Sequence, residues 1–327
     1  MTDMNPALDR ILTLELARVT ERAAVAATIM RGKGNEKAAD QLAVDAMRRE
    51  LNELDVDGTV VIGEGERDKA PMLYIGEKVG TKNGPKVDIA LDPLEGTTLC
   101  AKAKPNSLAV LAMAVGGTLL HAPDVYMDKI AIGGQYDDGI IDLDFSPTKN
   151  LENLAKAKNC KISDLGVCIL DRERHAELIA EVRETGASIM LIEDGDIAGV
   201  IATVDPDKTG VDIYMGIGGA PEGVLAAAAL RCIGGFMQTR LVTDSASQKQ
   251  RATEMGVTEF DKKLNIRDMA SGDVIFSATG VTDGDMLFGV RHKGNKIETE
   301  TLVMRSSTGT VRRIIGEHYK LDKFSVD

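Results

Sequence analysis

Acidic side chains gather in this chain where strand-like runs stop. The densest group is Asp92-Pro93-Leu94-Glu95-Gly96-Thr97-Thr98, which sets two carboxylates and hydroxyls just beyond the apolar run Val87 to Leu91. Hard cations such as magnesium and manganese select carboxylate oxygens, and a tight turn adds backbone carbonyls and amides to the shell. The same residues also make an ordinary solvated turn. Glu64 and Glu66 flank Gly65, so in an extended segment their carboxylates point the same way and repel unless a cation lies between them. A hydrophilic hairpin corner is the plainer alternative, but the apolar run before it, Thr59 to Ile62, favours the cation. Asp40 falls on the stripe of Val44 and Met47, the core side of a helix, where a carboxylate needs a partner. A metal shared with Glu64 is one solution, and an ion pair with Lys37 or an arginine is the other.

A second set of groups lies further along. Gly216-Ile217-Gly218-Gly219-Ala220-Pro221-Glu222-Gly223 is a glycine-rich strand-to-helix loop whose amides can cradle phosphate. Its spacing is not that of a dinucleotide fingerprint, and the chain has no Walker pattern. Glu222 in a first helical turn either binds a ligand or complements the helix dipole. Arg172 and Arg174, either side of Glu173, and Tyr126 after Asp124 can clamp a phosphate or a sugar hydroxyl, or decorate the surface. Asp194-Gly195-Asp196 offers acceptors for sugar hydroxyls or a plain turn. Nucleophilic chemistry has less support. His121, His175, His292 and His318 form no Ser-His-Asp or HExxH arrangement, and Cys100 lacks the arginine spacing of a cysteine phosphatase.

Composition narrows the reading. Acidic residues outnumber basic ones by 51 to 39, a net charge of -12 that disfavours nucleic acid and anionic membranes as partners. A phosphate ester meets the same repulsion, so an enzyme acting on one needs cations to invert the local field. The four cysteines are dispersed, which suggests neither a disulfide framework nor a zinc site and fits a reducing cytoplasm. No secretory pattern opens the chain and no apolar run approaches membrane-spanning length.

These groups need elements to hold them. At 327 residues, 43% apolar and only 3% aromatic, two subdomains with aliphatic cores are expected. Asn5-Pro6 reads as a helix start, with Leu8, Leu12, Leu16 and Val19 at helical spacing as far as Gly32, and a second helix is predicted over 36–54. Strands are predicted over 59–62 and 87–91, the latter ended by Pro93. A hairpin is predicted for 107–115 and 118–121 around Gly116-Gly117. After a polar connection over 146–159 the chain alternates: strand 165–170, helix 174–185, strand 187–193, strand 213–219, helix 224–232, then strands 274–277 and 301–315. The division expected is an α+β metal-binding domain over 1–160 and an α/β domain over 161–327.

Taken together, Ile62-Gly-Glu-Gly-Glu66, Asp92-Pro-Leu-Glu-Gly-Thr97 and Gly216-Ile-Gly-Gly-Ala-Pro-Glu-Gly223 resemble the motifs of class II fructose-1,6-bisphosphatases. Ala122-Pro-Asp-Val-Tyr-Met127, Ile275-Phe-Ser-Ala-Thr-Gly280 and Thr299-Glu-Thr-Leu302 extend the resemblance almost to the C-terminus. It implies a mixed α/β fold, the layered αβαβα sandwich of the lithium-sensitive sugar and inositol phosphatases. It also implies magnesium or manganese on Asp40, Glu64, Asp92, Glu95 and Glu222. Substrate contacts are implied for Glu95, Gly96, Thr97, Tyr126, Arg172, Glu173, Arg174, Asp194, Gly195, Asp196 and Gly219, with Thr97 as the catalytic hydroxyl. One departure stands out: Glu173 puts a negative charge between two arginines, where relatives often carry proline.

The reaction implied is hydrolysis of the 1-phosphate of fructose 1,6-bisphosphate, a gluconeogenic step, by metal-activated water that Thr97 and a nearby carboxylate, Glu66, orient. Alternatives are a dual enzyme that also takes sedoheptulose 1,7-bisphosphate, an inositol or sugar monophosphatase, and a non-catalytic metabolite-binding protein. The family commonly forms homo-oligomers, dimers or tetramers.

Overall fold

The computed structural model describes residues 8, 10–65, 72–134, 136–137, 139–243, 245–255, 257 and 259–325. Glu66 and the Asn5-Pro6 helix start lie outside these residues. The chain divides into two compact units, residues 1–120 with 270–327, and residues 121–269. This departs from the break expected near residue 160, for a reason visible in the pairing: the C-terminal strands return to the first sheet, while the strand after Val125 already belongs to the second.

The first unit opens with α1 (Leu12–Ala27) and α2 (Glu36–Glu53). The side chain of Asn35 caps α2 by accepting the Ala38 N–H at 3.1 Å. Then come β1 (Asp57–Ile62), β2 (Lys78–Val79), β3 (Lys86–Glu95), the short α3 (Thr97–Ala101) and β4 (Leu108–Val115). The second unit holds β5 (Tyr126–Ile132), α4 (Pro147–Lys158), β6 (Gly166–Leu170), α5 (Ala176–Glu184), β7 (Ser188–Ile192), α6 (Asp196–Ala202) and α7 (Pro206–Thr209). It continues through β8 (Ile213–Gly219), α8 (Ala220–Ile233), β9 (Phe236–Val242), α9 (Ala246–Glu254), β10 (Leu264–Asn265) and α10 (Ile266–Met269). The chain re-enters the first unit as β11 (Val274–Gly280), β12 (Arg291–Lys293), β13 (Lys296–Arg305) and β14 (Thr310–His318).

The first sheet runs β12-β13-β11-β4-β3-β1-β2, with β14 on the far side of β13; only β1 and β3 pair in parallel. Helices α1 and α2 cover one face, where Leu16, Val19, Met47 and Leu51 bury against Val60, Ile89, Leu111 and Ile275. The second sheet, β10-β9-β5-β8-β6-β7, takes α4 and α5 on the face of Ile130, Val167, Ile169 and Ile213. Its other face packs on α6 and α8, for Gly199 closes on Cys168 and Tyr214, and Gly223 on Met127. The layers are thus α–β in the first unit and α–β–α in the second, a mixed α/β fold in each.

Four local expectations are corrected. Strand β3 does not stop at Leu91 but runs on to Glu95, because Pro93 falls in an irregularity where the register with β4 shifts between Asp92 and Glu95, so its missing N–H breaks no ladder bond. Residues 118–121 turn at Gly117 but do not pair back on β4. Asp88 Oδ2 instead accepts the N–H groups of Thr118 and Leu119 at 2.8 and 3.1 Å, and β4 pairs with β3 and β11. The polar stretch 146–159 is helix α4, capped by Ser146 and opened by Pro147. The run 301–315 is two strands, since Ser306 to Gly309 forms a turn between β13 and β14.

Inside the first unit a chain of hydroxyls ties α1 to the sheet. Thr20 Oγ1 lies 2.9 Å from Ser277 Oγ and accepts from Thr279 Oγ1 at 2.8 Å, and Thr279 lies 2.8 Å from Thr301 Oγ1; all four residues are fully buried. Thr279→Val keeps the shape but takes from the buried Thr301 hydroxyl its partner, while Thr20 keeps Ser277 and the Leu16 and Ala17 carbonyls, a cost of about 1–3 kcal/mol. A urea midpoint lowered accordingly is expected, and an unchanged midpoint contradicts this account.

Candidate active site

In the first unit, strand register places the acidic groups. β1 and β3 run in parallel with Ile62 opposite Ala90, so Glu64, just beyond the end of β1, and Asp92, near the end of β3, each follow two residues beyond that pair. The Glu64 N–H is anchored on the Leu73 carbonyl at 3.0 Å. Helix α2 supplies Asp40 from its second turn, and one turn earlier Glu36 accepts the Thr98 hydroxyl at 2.9 Å, which fastens α3 to the start of α2. Gly96 turns the chain with φ 74°, a left-handed conformation that suits glycine, and Thr97 follows as the half-buried first residue of α3. The Thr97 hydroxyl bonds to no described residue. Asp92 Oδ1 accepts the Leu94 N–H at 3.1 Å, and Glu95 is 3% exposed.

Burial and charge are unfavourable for this group as it stands. Burial pushes the Glu64 carboxyl up to about 8, and the negative charge of Asp40 adds to the rise. Burial also raises Asp40. Among the described residues no three His, Cys, Asp or Glu side chains enclose a cation by themselves. Paired carboxylates that repel nonetheless fit a hard cation, and magnesium in particular takes one or two carboxylates and completes its shell with water and phosphate oxygen. Cys100 is fully buried and its thiol is pushed up to about 11 by burial, which leaves it no nucleophilic role.

In the second unit the end of β8 is shaped by buried charge. Lys129 Nζ donates to Asp196 Oδ2 at 2.5 Å, with the two side chains 1% and 5% exposed, and Tyr214 Oη stands 3.5 Å from the same oxygen. A Cβ at Gly218 would meet Asp196 Oδ2 at 2.0 Å, and one at Gly219 would meet Glu222 Oε2 at 1.9 Å, so a side chain at either position would push a neighbouring carboxylate aside. Glu222 Oε2 is buried with no hydrogen-bond partner among the described residues. Burial raises the Glu222 carboxyl, helped by Asp196 and Asp124 and opposed by Lys129. A buried carboxylate oxygen in this state fits a cation better than a plain cap of the helix dipole.

His175 fixes the arginine loop. Its Nδ1 lies 2.8 Å from the Leu170 carbonyl and its Nε2 accepts the Ile217 N–H at 2.8 Å, so the ring is neutral with the proton on Nδ1; burial lowers its pKa in agreement. Arg174 donates twice to the Ile217 carbonyl, at 3.0 and 2.7 Å, and its guanidinium lies 4.8 Å from the centre of the Tyr126 ring. Arg172 is half-buried; it donates to the Asp171 carbonyl at 3.1 Å and lies 4.0 Å from Asp194 Oδ1, which also accepts the Gly195 N–H at 3.2 Å. Glu173 is exposed.

The residues expected from sequence thus fall into two sets. Asp40, Glu64, Asp92, Glu95, Gly96 and Thr97 belong to the first unit, and Tyr126, Arg172, Glu173, Arg174, Asp194, Gly195, Asp196, Gly219 and Glu222 to the second. Asp196 differs from the expectation of an open sugar acceptor, because it is buried in an ion pair. Sequence reading missed Lys129, Tyr214 and the clamp role of His175. The available signal was a lysine in alternation with Met127 and Ala131 on the buried face of β5.

A pH dependence follows from Glu64. Its folded pKa is raised above the unfolded value, so its contribution to stability is present below about 4.5 and is lost as pH rises towards 8. With chelator present, Glu64→Gln should lose less stability than the wild type between pH 5 and 8.5, by a few kcal/mol at most. Parallel urea midpoints across that range would contradict the assignment.

Comparisons with known proteins point to one family. The profile of the family described as "Bacterial fructose-1,6-bisphosphatase, glpX-encoded" matches residues 10–318. The fructose-1,6-bisphosphatase 1 class 2 of Escherichia coli (strain K12) is 47% identical over 324 residues, covering 95% of this chain and 96% of the relative. The D-fructose 1,6-bisphosphatase class 2/sedoheptulose 1,7-bisphosphatase of Synechococcus sp. (strain JA-3-3Ab) is 45% identical over 338 residues, covering 96% and 97%. An inositol monophosphatase structure from Anabaena (Nostoc) sp. PCC 7120 overlaps with 60% of this chain and 71% of its own, at 14% identity and a TM-score of 0.31, too low to bear on the fold. The chain belongs to the glpX-encoded, class II fructose-1,6-bisphosphatase family.

Proposed function

We propose that this protein hydrolyses the 1-phosphate of fructose 1,6-bisphosphate, giving fructose 6-phosphate and inorganic phosphate. The observation that carries the reading is the parallel register of β1 and β3, which sets Glu64 and Asp92 each two residues beyond the Ile62–Ala90 pair, with Asp40 bearing on Glu64 and Thr97 close to Asp92 in sequence, in a chain of this family. Magnesium or manganese held by Asp40, Glu64, Asp92 and Glu95 would lower the pKa of water and neutralise charge on the phosphoryl oxygens, and Glu222 is proposed as a further metal ligand. The chain's own contribution is positioning. Thr97 offers a hydroxyl bonded to no described residue to orient water or hand on a proton, with Glu66 as the proposed base. Arg172 offers a half-exposed guanidinium to the distal phosphate, and Arg174, fixed on Ile217 and Tyr126, shapes the same loop.

The relatives named above include a single and a dual bisphosphatase, so activity on sedoheptulose 1,7-bisphosphate is the second reading. No described helix is long and apolar enough to cross a membrane. A cytoplasmic homo-oligomer is part of the proposal. The outermost strand β14 supports assembly, for it carries Val311 and Ile315 at 48% and 64% exposure.

Phosphate release from the bisphosphate with manganese or magnesium tests the mechanism. Thr97→Ala and Glu64→Gln should each lower kcat by about 10²-fold or more, and chelator should abolish turnover. Near wild-type release from either variant removes the mechanism, and preference for inositol phosphate under saturating metal removes the substrate. Binding of the bisphosphate without release under either metal would favour a non-catalytic binding protein.

A further inference from the structure

The second unit holds a cavity of about 610 Å³ lined by Leu230 and Arg231 of α8, Phe236 of β9, Asn265 of β10, and Ile266 and Arg267 of α10, together with glycines and neighbouring strand residues. It lies at the far end of the sheet from the arginine loop. Phe236 pairs with Ile132, whereas Tyr126 pairs with Gly219 and Val242, six residues along β5 or roughly 20 Å away.

Two features set this cavity apart in a chain of net charge -12. None of the described residues that line it is acidic, yet two arginines do. Arg231 Nε is buried without a hydrogen-bond partner, and the exposed Arg267 guanidinium enters no ion pair or hydrogen bond with a described residue. Buried guanidinium nitrogen is costly to leave unmatched, so such a site is completed by an anion. Asn265 supports the same polarity: its Oδ1 accepts the N–H groups of Arg267 and Asp268 at 2.8 and 3.1 Å, which turns the amide NH₂ outwards as a donor. Leu230, Phe236 and Ile266 add an apolar wall, and Gly234 at φ 84° has open space where a side chain would stand.

We propose that this cavity is a second ligand site, separate from the arginine loop, which binds the phosphoryl group of a small anion through Arg231 and Arg267. The planar forks suit phosphate oxygens, and the apolar wall suits the organic body of a phosphomonoester. Inorganic phosphate shares the recognised group, so the two sources need separate arms.

The test is equilibrium binding of phenyl phosphate and of inorganic phosphate to the full chain in chelator, which prevents turnover of the ester. Arg267→Gln, at an exposed position, should weaken binding about tenfold or more, Arg231→Gln should do the same, and Arg172→Gln should leave this binding unchanged. Tighter binding of the ester than of phosphate supports an organic ligand, and equal affinity assigns the site to the free anion. Binding that survives both Arg267→Gln and Arg231→Gln, or that disappears with Arg172→Gln, overturns the proposal.

Discussion

Repulsion between Asp40 and Glu64 is the constraint around which the first unit is organised. Two half-buried carboxylates that raise each other's energy persist because the scaffold holds them for other reasons: α2 is fixed by its own apolar face, and Glu64 by the Leu73 carbonyl at the exit of β1. The parallel pairing of β1 with β3 adds Asp92 at the same sheet edge. Cost of this kind suits a positive ligand, in keeping with the cations proposed above.

The second unit handles buried charge in the opposite way. Lys129 and Asp196 neutralise one another, and His175 is kept uncharged by accepting one bond and donating another. Glu222 is the exception, buried over Gly219 with one oxygen left unmatched. Glycine at 218 and 219 is therefore a matter of space for neighbouring carboxylates as much as of amides for phosphate. The loop motif reads as one device and serves two.

Local pattern succeeded where the physics is local. The helices at 36–53 and 220–233, the strands at 166–170, 188–192 and 213–219, and the carboxylates at strand ends all follow from periodicity and turn chemistry. It failed where a partner strand decides. Pro93 stays in β3 because a bulge absorbs it, Thr118 and Leu119 bond to Asp88 rather than back to β4, and the domain break moves because β11 pairs with β4, more than 150 residues earlier, and brings β12 to β14 with it.

By itself the sequence determined the chemistry on offer: acidic clusters suited to hard cations, arginines and a glycine-rich loop suited to phosphate, and no competing nucleophile. It also fixed most elements, since helix and strand periods are written in neighbouring residues. Only tertiary structure decided which charges are compensated. Lys129 meets Asp196 across 67 residues of chain, and Asp40 acts on Glu64 across a helix-to-strand packing, because ion pairing and desolvation depend on distance in space and not on order along the chain.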